Sequence, residues 1–266
     1  MIQELAENAN AYTVLGPDEE RVANDRFVIW FGSVDAPWST VVQRLRLGDD
    51  DLEEQVAEIR ELVRARRRAA CTWEVAGSAT PADLRERLLE LGCVPDREPY
   101  AVGMVLRRAP PWPETSGVVA RRVESVEELK RAIRIAGVAF GMSREELEQT
   151  LAQAEERFPQ QGERGATYLA WVDDEPVAQA YAAYTEHGLL LFGGATVPTA
   201  RGRGAYRALV RARWEDAVGR GTPALVTHAG AMSRPILARL GFEEVAEIWI
   251  LLDRFDSATR LFGHGR

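Results

Sequence analysis

Cysteine is scarce in this chain, because only Cys71 and Cys93 occur among its 266 residues. Two cysteines are too few for a disulfide scaffold or a metal site. Cys71 falls on a predicted buried strand and Cys93 at the end of a predicted helix. We therefore expect two core thiols and no bound metal.

Lysine is scarcer still, since Lys130 is the only lysine among 33 basic residues, and the net charge is −8. Phosphate backbones need a basic surface, so this balance argues against nucleic acid as a partner, whereas an acidic surface suits a cationic amine. No apolar run approaches the ~18 residues of a membrane span, and the acidic start at residues 1–5 lacks the features of a signal peptide. We expect a cytoplasmic protein that does not bind membranes.

The only proline-rich stretch is residues 109–117, which is typical of a linker. A chain of this length forms one large or two modest domains, and 46% hydrophobic residues can fill two cores. We predict one domain at residues 1–109, a linker at 110–117, a second domain at 118–256 and a tail at 257–266.

The stretch from Val197 to Tyr206 joins an apolar run to an amphipathic one through glycines and arginines. A strand, a glycine-rich turn and a helix form an anion cradle, because the first N–H groups of a helix lack partners and glycine permits close approach. The turn lacks the Gly-Lys-Ser/Thr ending of a P-loop, and Arg207 replaces the third glycine of a dinucleotide fingerprint.

The order of elements predicted for residues 118–256 is β-α-α-β-β-β-loop-α-β-α-β. In this order, Val197 and Pro198 precede Arg201-x-x-Gly204, and Leu240-Gly241-Phe242 ends the last helix. This combination resembles the GNAT acetyltransferases, in which such a loop binds the acetyl-CoA pyrophosphate. Tyr206 departs from the pattern, because the family usually has glycine or alanine there. The resemblance implies an α/β (α+β) fold with a mixed central sheet flanked by helices.

The resemblance also implies a set of cofactor-binding residues. Ala195 and Val197 would make main-chain contacts to acetyl-CoA, and Gly193-Gly194 is either a bulge that makes room for the thioester arm or a simple kink. Five arginines surround the predicted loop: Arg201, Arg203, Arg207, Arg211 and Arg213. The predicted cofactor-binding residues are Ala195, Thr196, Val197, Arg201, Gly202, Arg203, Gly204, Ala205 and Tyr206.

The usual acid–base residues of the family are missing. Residues 189–197 contain no glutamate, and Leu237 stands where a tyrosine is common. His228 is one substitute, since an imidazole accepts protons near neutral pH, although a structural histidine is the alternative. Tyr184 is the other candidate; Tyr181 lies three residues earlier and so on the opposite face, which means that at most one of the two faces the cleft.

The first part of the chain contains an internal repeat of the second. Predicted helices at 52–67 and 82–91 alternate with strands at 71–76 and 100–106, and Leu91-Gly92-Cys93 matches Leu240-Gly241-Phe242. Asp49, Asp50 and Asp51 stand in place of the arginine loop; they can cap a helix but repel an anion. We interpret this part as a degenerate GNAT-like domain in tandem with the second, with chance similarity as the alternative.

Together these features predict an acetyl-CoA-dependent N-acetyltransferase acting on a small amine, with a homodimer as one possible assembly. The alternative is a non-catalytic acyl-CoA-binding sensor or protein-interaction module, which the missing glutamate and tyrosine favour.

Overall fold

The computed structural model describes residues 1–112 and 116–255. Residues 113–115 of the predicted linker and the predicted tail at 257–266 lie outside the described residues. The helices and strands in chain order are α1 (Ile2–Glu7), β1 (Glu20–Ala23), β2 (Val28–Phe31), β3 (Thr40–Gln43), α2 (Leu52–Ala65), β4 (Ala70–Ala76), α3 (Leu84–Glu90), β5 (Val94–Leu106), β6 (Val118–Arg122), α4 (Val126–Phe140), α5 (Arg144–Ala152), α6 (Ala154–Arg157), β7 (Gly165–Val172), β8 (Glu175–Thr185), β9 (Gly188–Thr196), α7 (Ala205–Gly219), β10 (Leu225–Ala229), α8 (Arg234–Arg239) and β11 (Glu243–Arg254).

The chain forms two compact units, and both are discontinuous in sequence. The first unit contains Gln3–Gly103, Ala229–Arg234 and the described residues from Val245 onward; the second contains Met1–Ile2, Met104–His228 and Pro235–Glu244. The units differ from the predicted domains chiefly at β11, most of which is in the first unit. The sequence-defined domain limits stay a prediction, because compactness in space and a repeat in sequence are separate properties.

The sheet of the first unit has the order β1-β2-β3-β4-β11-β5. It is mixed, since β3 and β4 run parallel while β4 and β11 run antiparallel. Trp73 on β4 packs in one core with Ile59 of α2 and Leu88 of α3, and Leu251 of β11 belongs to the same core. The last strand of the chain therefore completes the sheet of the first unit.

An ion pair anchors this strand. Arg60 Nε lies 2.8 Å from Asp253 Oδ2, and Trp73 Nε1 donates to the same oxygen at 3.2 Å. Cys71 lies directly opposite Asp253 across the β4–β11 ladder. Cys71 and Cys93 are both buried, free thiols, and burial raises the pKa of Cys93 to about 12. The prediction of core thiols is thereby confirmed.

The sheet of the second unit has the order β10-β9-β8-β7-β6, antiparallel except for the β9–β10 pair. Leu169 of β7 packs against Leu129 and Ile135 of α4, whereas its neighbour Tyr168 donates a hydrogen bond to Asp216 of α7. Successive side chains of a strand point to opposite faces, so α4 and α7 cover opposite faces of this sheet.

Helix starts in the second unit follow the sequence signals. Ser125 Oγ accepts from the Glu128 N–H at 3.2 Å, and Ser143 forms a capping box with Glu146. The sequence from Ser143 onward predicts one helix that ends near Phe158, whereas the structure has two helices, α5 and α6, which meet at Gln153. Within the described ranges, no helix has the length and apolar character that crossing a bilayer requires.

Candidate functional site

The pairing between β9 and β10 stops before either strand ends, and we call the unpaired stretch of the two strands the β9–β10 gap. The two strands pair only at Leu189–Leu225 and Leu190–Val226, with a further hydrogen bond from the Leu189 N–H to the Ala224 carbonyl at 2.9 Å. Thr227 Oγ1 then bonds the Leu191 carbonyl at 3.1 Å. Beyond this point the described strands share no ladder pair, so residues 192–196 at the end of β9 have no ladder partner on β10.

A β-bulge interrupts β9 at the gap. Gln179 of β8 pairs with Ala195 and Tyr181 with Phe192, so one residue of β8 faces two of β9, Gly193 and Gly194. Gly193 has φ +57°, a left-handed conformation that favours glycine. The sequence of Gly193-Gly194 is compatible with either a bulge or a simple kink, and the β8–β9 register shows that a bulge is present.

The loop after β9 leads into an uncapped helix. Gly202 and Gly204 have φ +82° and +93°, and Gly204 occupies the N-cap position of α7. The first helical bond runs from the Ala208 N–H to the Gly204 carbonyl at 3.0 Å, so the preceding N–H groups have no intrahelical acceptor. Among the described side chains, none caps α7, in contrast to α4 and α5. The helix dipole and these donors make this terminus attractive to an anion.

The arginines near the loop have different roles. Arg203 Nη2 lies 2.5 Å from Asp173 Oδ2, and the two side chains are 50% and 73% exposed. Arg201 and Arg207 are exposed, and Arg211 pairs with Glu215 one helical turn later.

Arg213 does not surround the loop as predicted. Its side chain is 1% exposed and lies between α7 and the sheet. Its Nε donates to the Leu209 carbonyl of α7 at 3.0 Å, and its Nη1 donates to the Tyr181 carbonyl of β8 at 3.4 Å. Burial lowers the pKa of its guanidinium. Its position on the inner face of α7, in register with Leu209 and Asp216, turns it toward the sheet and away from the loop.

The predicted backbone contacts divide into two groups. The Val197 N–H donates to the Val177 carbonyl of β8 at 2.9 Å, so this group is used within the sheet. Backbone N–H groups alternate in direction along a strand, so the Thr196 N–H is directed to the other side of β9, where the gap lies. Ala195 pairs with Gln179 and lies two residues before Val197, so its N–H is directed toward β8 as well.

The two catalytic candidates lie in different surroundings. Tyr184 is 4% exposed, and its Oη donates to Asp216 Oδ2 at 3.1 Å, while Arg220 stacks on its ring. It pairs with Leu189, at the opposite end of β9 from the glycine loop. His228 is half-buried on β10, two residues beyond the last paired residue, Val226, so its backbone borders the gap. Tyr181 is half-exposed and adjoins the bulge, with its ring 6.5 Å from that of Phe192.

The first unit lacks an equivalent cradle before α2. Asp51 occupies the N-cap position and its Oδ1 accepts from Gln55 Nε2, while the Gly48 N–H donates to Gln55 Oε1 at 3.2 Å. Asp49 pairs with Arg87 of α3. The aspartates therefore bind neighbouring side chains rather than the helix N–H groups, which differs from the capping role predicted for them. Their negative charge still disfavours an anion here.

Three polar residues of the second unit were not expected from the sequence: Gln179, Asp216 and, as a buried group, Arg213. Gln179 looks like any polar residue of a half-buried strand, so no local signal marks it. Arg213 and Asp216 recur with Leu209 on one face of the α7 pattern, and charged residues on an apolar face are a signal that could have found them.

Comparison with known proteins identifies the fold. No protein-family model matches the chain, and no curated protein matches it significantly. Among solved structures, it is similar to a GCN5-related N-acetyltransferase from Kribbella flavida, with 21% identity, 95% of each chain covered and a TM-score of 0.71. A GCN5-related N-acetyltransferase from Sphaerobacter thermophilus shares 17% identity over 87% of this chain and 81% of its own, with a TM-score of 0.62.

A third similar structure has two such domains. It is a tandem GNAT protein from the clavulanic acid biosynthesis pathway, with 15% identity, coverage of 97% of this chain and 88% of its own, and a TM-score of 0.59. Similarity at this level of identity is evidence for the fold. The chain therefore has the GNAT fold, as its glycine-arginine loop and order of elements predicted.

Proposed function

We propose that this protein is an acetyl-CoA-dependent N-acetyltransferase that acts on a small amine. The observation that carries the proposal is one continuous path in the second unit. The β9–β10 gap borders the bulge at Gly193, and the loop after β9 leads to the uncapped N-terminus of α7 at Gly204. A gap between strands can hold an extended pantetheine arm, and an uncapped helix can hold a pyrophosphate.

Charge at the loop supports an anionic ligand. Arg201 and Arg203 flank Gly202, and Arg207 is exposed one turn into α7. A pyrophosphate would compete with Asp173 for Arg203, since the carboxylate is exposed and weakly held. The solved structures of similar fold carry the name N-acetyltransferase, which agrees with an acyl-CoA ligand at this position.

Acyl transfer sets the chemical requirements. The amine nitrogen, once deprotonated, attacks the thioester carbonyl carbon, and the carbonyl electron pair moves to oxygen. Collapse of this oxyanion re-forms the carbonyl and expels the CoA thiolate. The nitrogen, positively charged after the attack, loses a second proton as the amide forms, and the thiolate takes up that proton. Backbone N–H groups directed into the gap, such as that of Thr196, would bind the carbonyl oxygen. His228 is our candidate for the group that accepts the proton, because it borders the gap on β10.

Turnover of acetyl-CoA with a panel of amines tests the proposal. The panel contains an alkylamine, a polyamine, an aminosugar and an aromatic amine, and release of the CoA thiol is measured with and without each amine. We expect at least one amine to raise the release rate at least about tenfold over water, because positioned acid–base and electrostatic groups each contribute factors of this size or more.

A second candidate function is a non-catalytic acyl-CoA-binding sensor. The observation that favours it is the absence of aspartate and glutamate from β9, which leaves no carboxylate on this strand to act as a general base. Tight binding of acetyl-CoA without release by any amine would support the sensor, and amine-dependent release would support the enzyme.

A further inference from the structure

Three aromatic side chains lie in a row across the sheet of the second unit, at the start of the β9–β10 gap. Tyr181 of β8 pairs with Phe192 of β9, and their ring centroids are 6.5 Å apart. Val226 of β10 pairs with Leu190 of β9. His228 and Phe192 each lie two residues beyond this pair, and residues two apart on a strand share a face, so His228 lies on the face of Phe192 and Tyr181. We call these three residues the aromatic row.

The aromatic row is on the face of the sheet that packs against α4. Gln179, two residues before Tyr181, pairs with Leu169 of β7, and Leu169 packs against Leu129 of α4. Directly paired residues share a face, so the aromatic row lies on the α4 side. Helix α7, whose N-terminus is the proposed pyrophosphate site, covers the opposite face. With acyl-CoA bound there, the face that remains for the amine is the α4 face.

The cover of this face ends at the aromatic row. Ala183, Leu190 and Val226 lie on the same face one step earlier along the paired strands, and they are 5%, 1% and 0% exposed. The three residues of the aromatic row are each only half-buried. Aromatic rings that are partly open to solvent beside a gap between strands form a surface on which an apolar group of a ligand can bind.

The composition of this surface indicates which amines it binds. Residues 179–183, 190–192 and 226–228, which carry the aromatic row, include no aspartate or glutamate. The several positive charges of a polyamine would therefore have no carboxylate partner at these positions. Gln179 is 6% exposed and already donates to the Gly193 carbonyl at 2.5 Å. Aromatic side chains bind other aromatic rings and attract a single cation, so the matching ligand is an amine with an aromatic ring.

We infer that the amine substrate carries an aromatic ring on a short alkyl chain, that Phe192 and Tyr181 bind this ring, and that the nitrogen lies beside His228 at the gap. The inference rests on the proposed function and adds a substrate class to it. Paired strands lie about 4.8 Å apart, so a ring on Phe192 of β9 and a nitrogen beside His228 of β10 are at least about this far apart. A chain of two carbons spans that distance. Phe192 and Tyr181 contact the substrate and determine specificity, whereas proton transfer belongs to His228.

The test compares two amines of matched size, phenethylamine and cyclohexylethylamine, in the parent and in the variants Phe192→Leu and Tyr181→Leu. The ratio of kcat/KM for the first amine to that for the second is measured by thiol release from acetyl-CoA, and we call it the aromatic selectivity. Both amines are measured on one sample, so losses of folded protein or of CoA affinity cancel in the ratio. Trp171→Leu is the matched control, since Trp171 is a half-buried aromatic residue on β7 that packs against the α4 core two strands from β9.

We expect an aromatic selectivity of about 2- to 10-fold in the parent, the range that a pair of aromatic rings contributes beyond its buried area. Phe192→Leu and Tyr181→Leu should each lower it at least about twofold, because leucine keeps an apolar contact and loses the aromatic one. Trp171→Leu should keep the parent's value. In the parent, kcat/KM for phenethylamine should also exceed that for propylamine, which has no ring, at least about tenfold.

An aromatic selectivity that is unchanged in both variants of the aromatic row overturns the inference, because the preference then arises elsewhere. If one of these variants fails to fold, the other decides, since the two residues lie on different strands. A parent that acetylates spermidine or glucosamine with a higher kcat/KM than phenethylamine also overturns the inference and leaves the proposed function standing. A parent that releases no thiol with any amine overturns the proposed function first, so the two failures are distinguishable.

Discussion

The ring of Tyr206 occupies the space that a side chain at Gly194 would need, since a Cβ built at Gly194 lies 2.8 Å from Tyr206 Cε2. Tyr206 is the position at which the loop departs from the family pattern of glycine or alanine. The structure accounts for this departure, because a glycine in the bulge of β9 provides the room that the ring takes up. The large residue and the glycine form a matched pair.

Because the two residues compete for the same space, we expect substitutions at the two positions to have non-additive effects on the free energy of unfolding. Gly194→Ala should lower the free energy of unfolding by about 1–3 kcal/mol, because the new methyl group clashes with the ring. The double variant Gly194→Ala, Tyr206→Ala should be more stable than the sum of the two single changes by at least about 0.5 kcal/mol. Urea unfolding of the four proteins measures this coupling, and additive changes would show that the two residues do not compete for space.

Asp173 should limit the affinity for CoA. It holds Arg203 in an exposed ion pair, and Asp173→Asn removes the competing charge without removing the side chain. We expect CoA to bind about 2- to 5-fold more tightly, the range that an exposed pair can contribute, with a smaller gain at high salt. The same substitution in an Arg203→Gln background is the control and should bring no gain. Unchanged affinity in both backgrounds would mean that Arg203 does not contact the ligand.

Tyr184→Phe separates a structural from a catalytic role for this tyrosine. The hydroxyl donates to Asp216, which also accepts from Tyr168 and pairs with Arg122. Loss of a hydrogen bond to a buried carboxylate should cost about 1–2 kcal/mol of stability and leave kcat unchanged. Thermal unfolding and thiol-release kinetics measure the two effects. A kcat loss of more than about tenfold at unchanged stability would indicate proton transfer by Tyr184 instead.

Cys71 and Cys93 should resist alkylation in the folded protein. Burial raises the pKa of both thiols, that of Cys93 to about 12, so the reactive thiolate is scarce at pH 8. Both groups are protonated in either state below the unfolded pKa of about 8.5. Above it the unfolded chain loses protons that the folded chain keeps, so stability should fall as pH rises from about 8.5 toward 12. Mass spectrometry after iodoacetamide treatment at pH 8 measures how many of the two thiols are alkylated in the folded protein and, with urea, in the unfolded chain. Rapid labelling of the native protein would contradict this account.

Most of the fold could be predicted from the sequence because its signals are local. Ser125 and Ser143 mark helix starts, Gly141 ends α4 in a left-handed conformation, and the Asp173-Asp174 turn joins β7 to β8. The placement of β11 could not be predicted. Its pairing with β4 joins residues far apart in sequence, and neither strand contains a motif that identifies the other as its partner.

The candidate site could be predicted in part, for the same reason. The glycine loop is a contiguous motif, so its resemblance to the GNAT pyrophosphate loop can be recognised within one segment of the sequence. The bulge was foreseen as one of two alternatives, since Gly193-Gly194 fits both, and only the β8–β9 register decides between them. Gln179 carries no local signal, because its bond to the Gly193 carbonyl joins two strands. Arg213 lies on the apolar face of the α7 pattern, so its burial was open to prediction from that one segment.

Calorimetric titration with acetyl-CoA tests the central claim most directly, using the parent and an Arg203→Glu, Gly204→Asp variant. Gly204 has φ +93°, so the Arg203→Gln, Gly204→Asn variant is the matched control for backbone strain without the added negative charge. We predict binding to the parent, weaker binding to the control and none to the charged variant. Equal affinity in the parent and the charged variant, or no binding to a folded parent, would contradict the assignment of the β9–α7 loop as the acyl-CoA site.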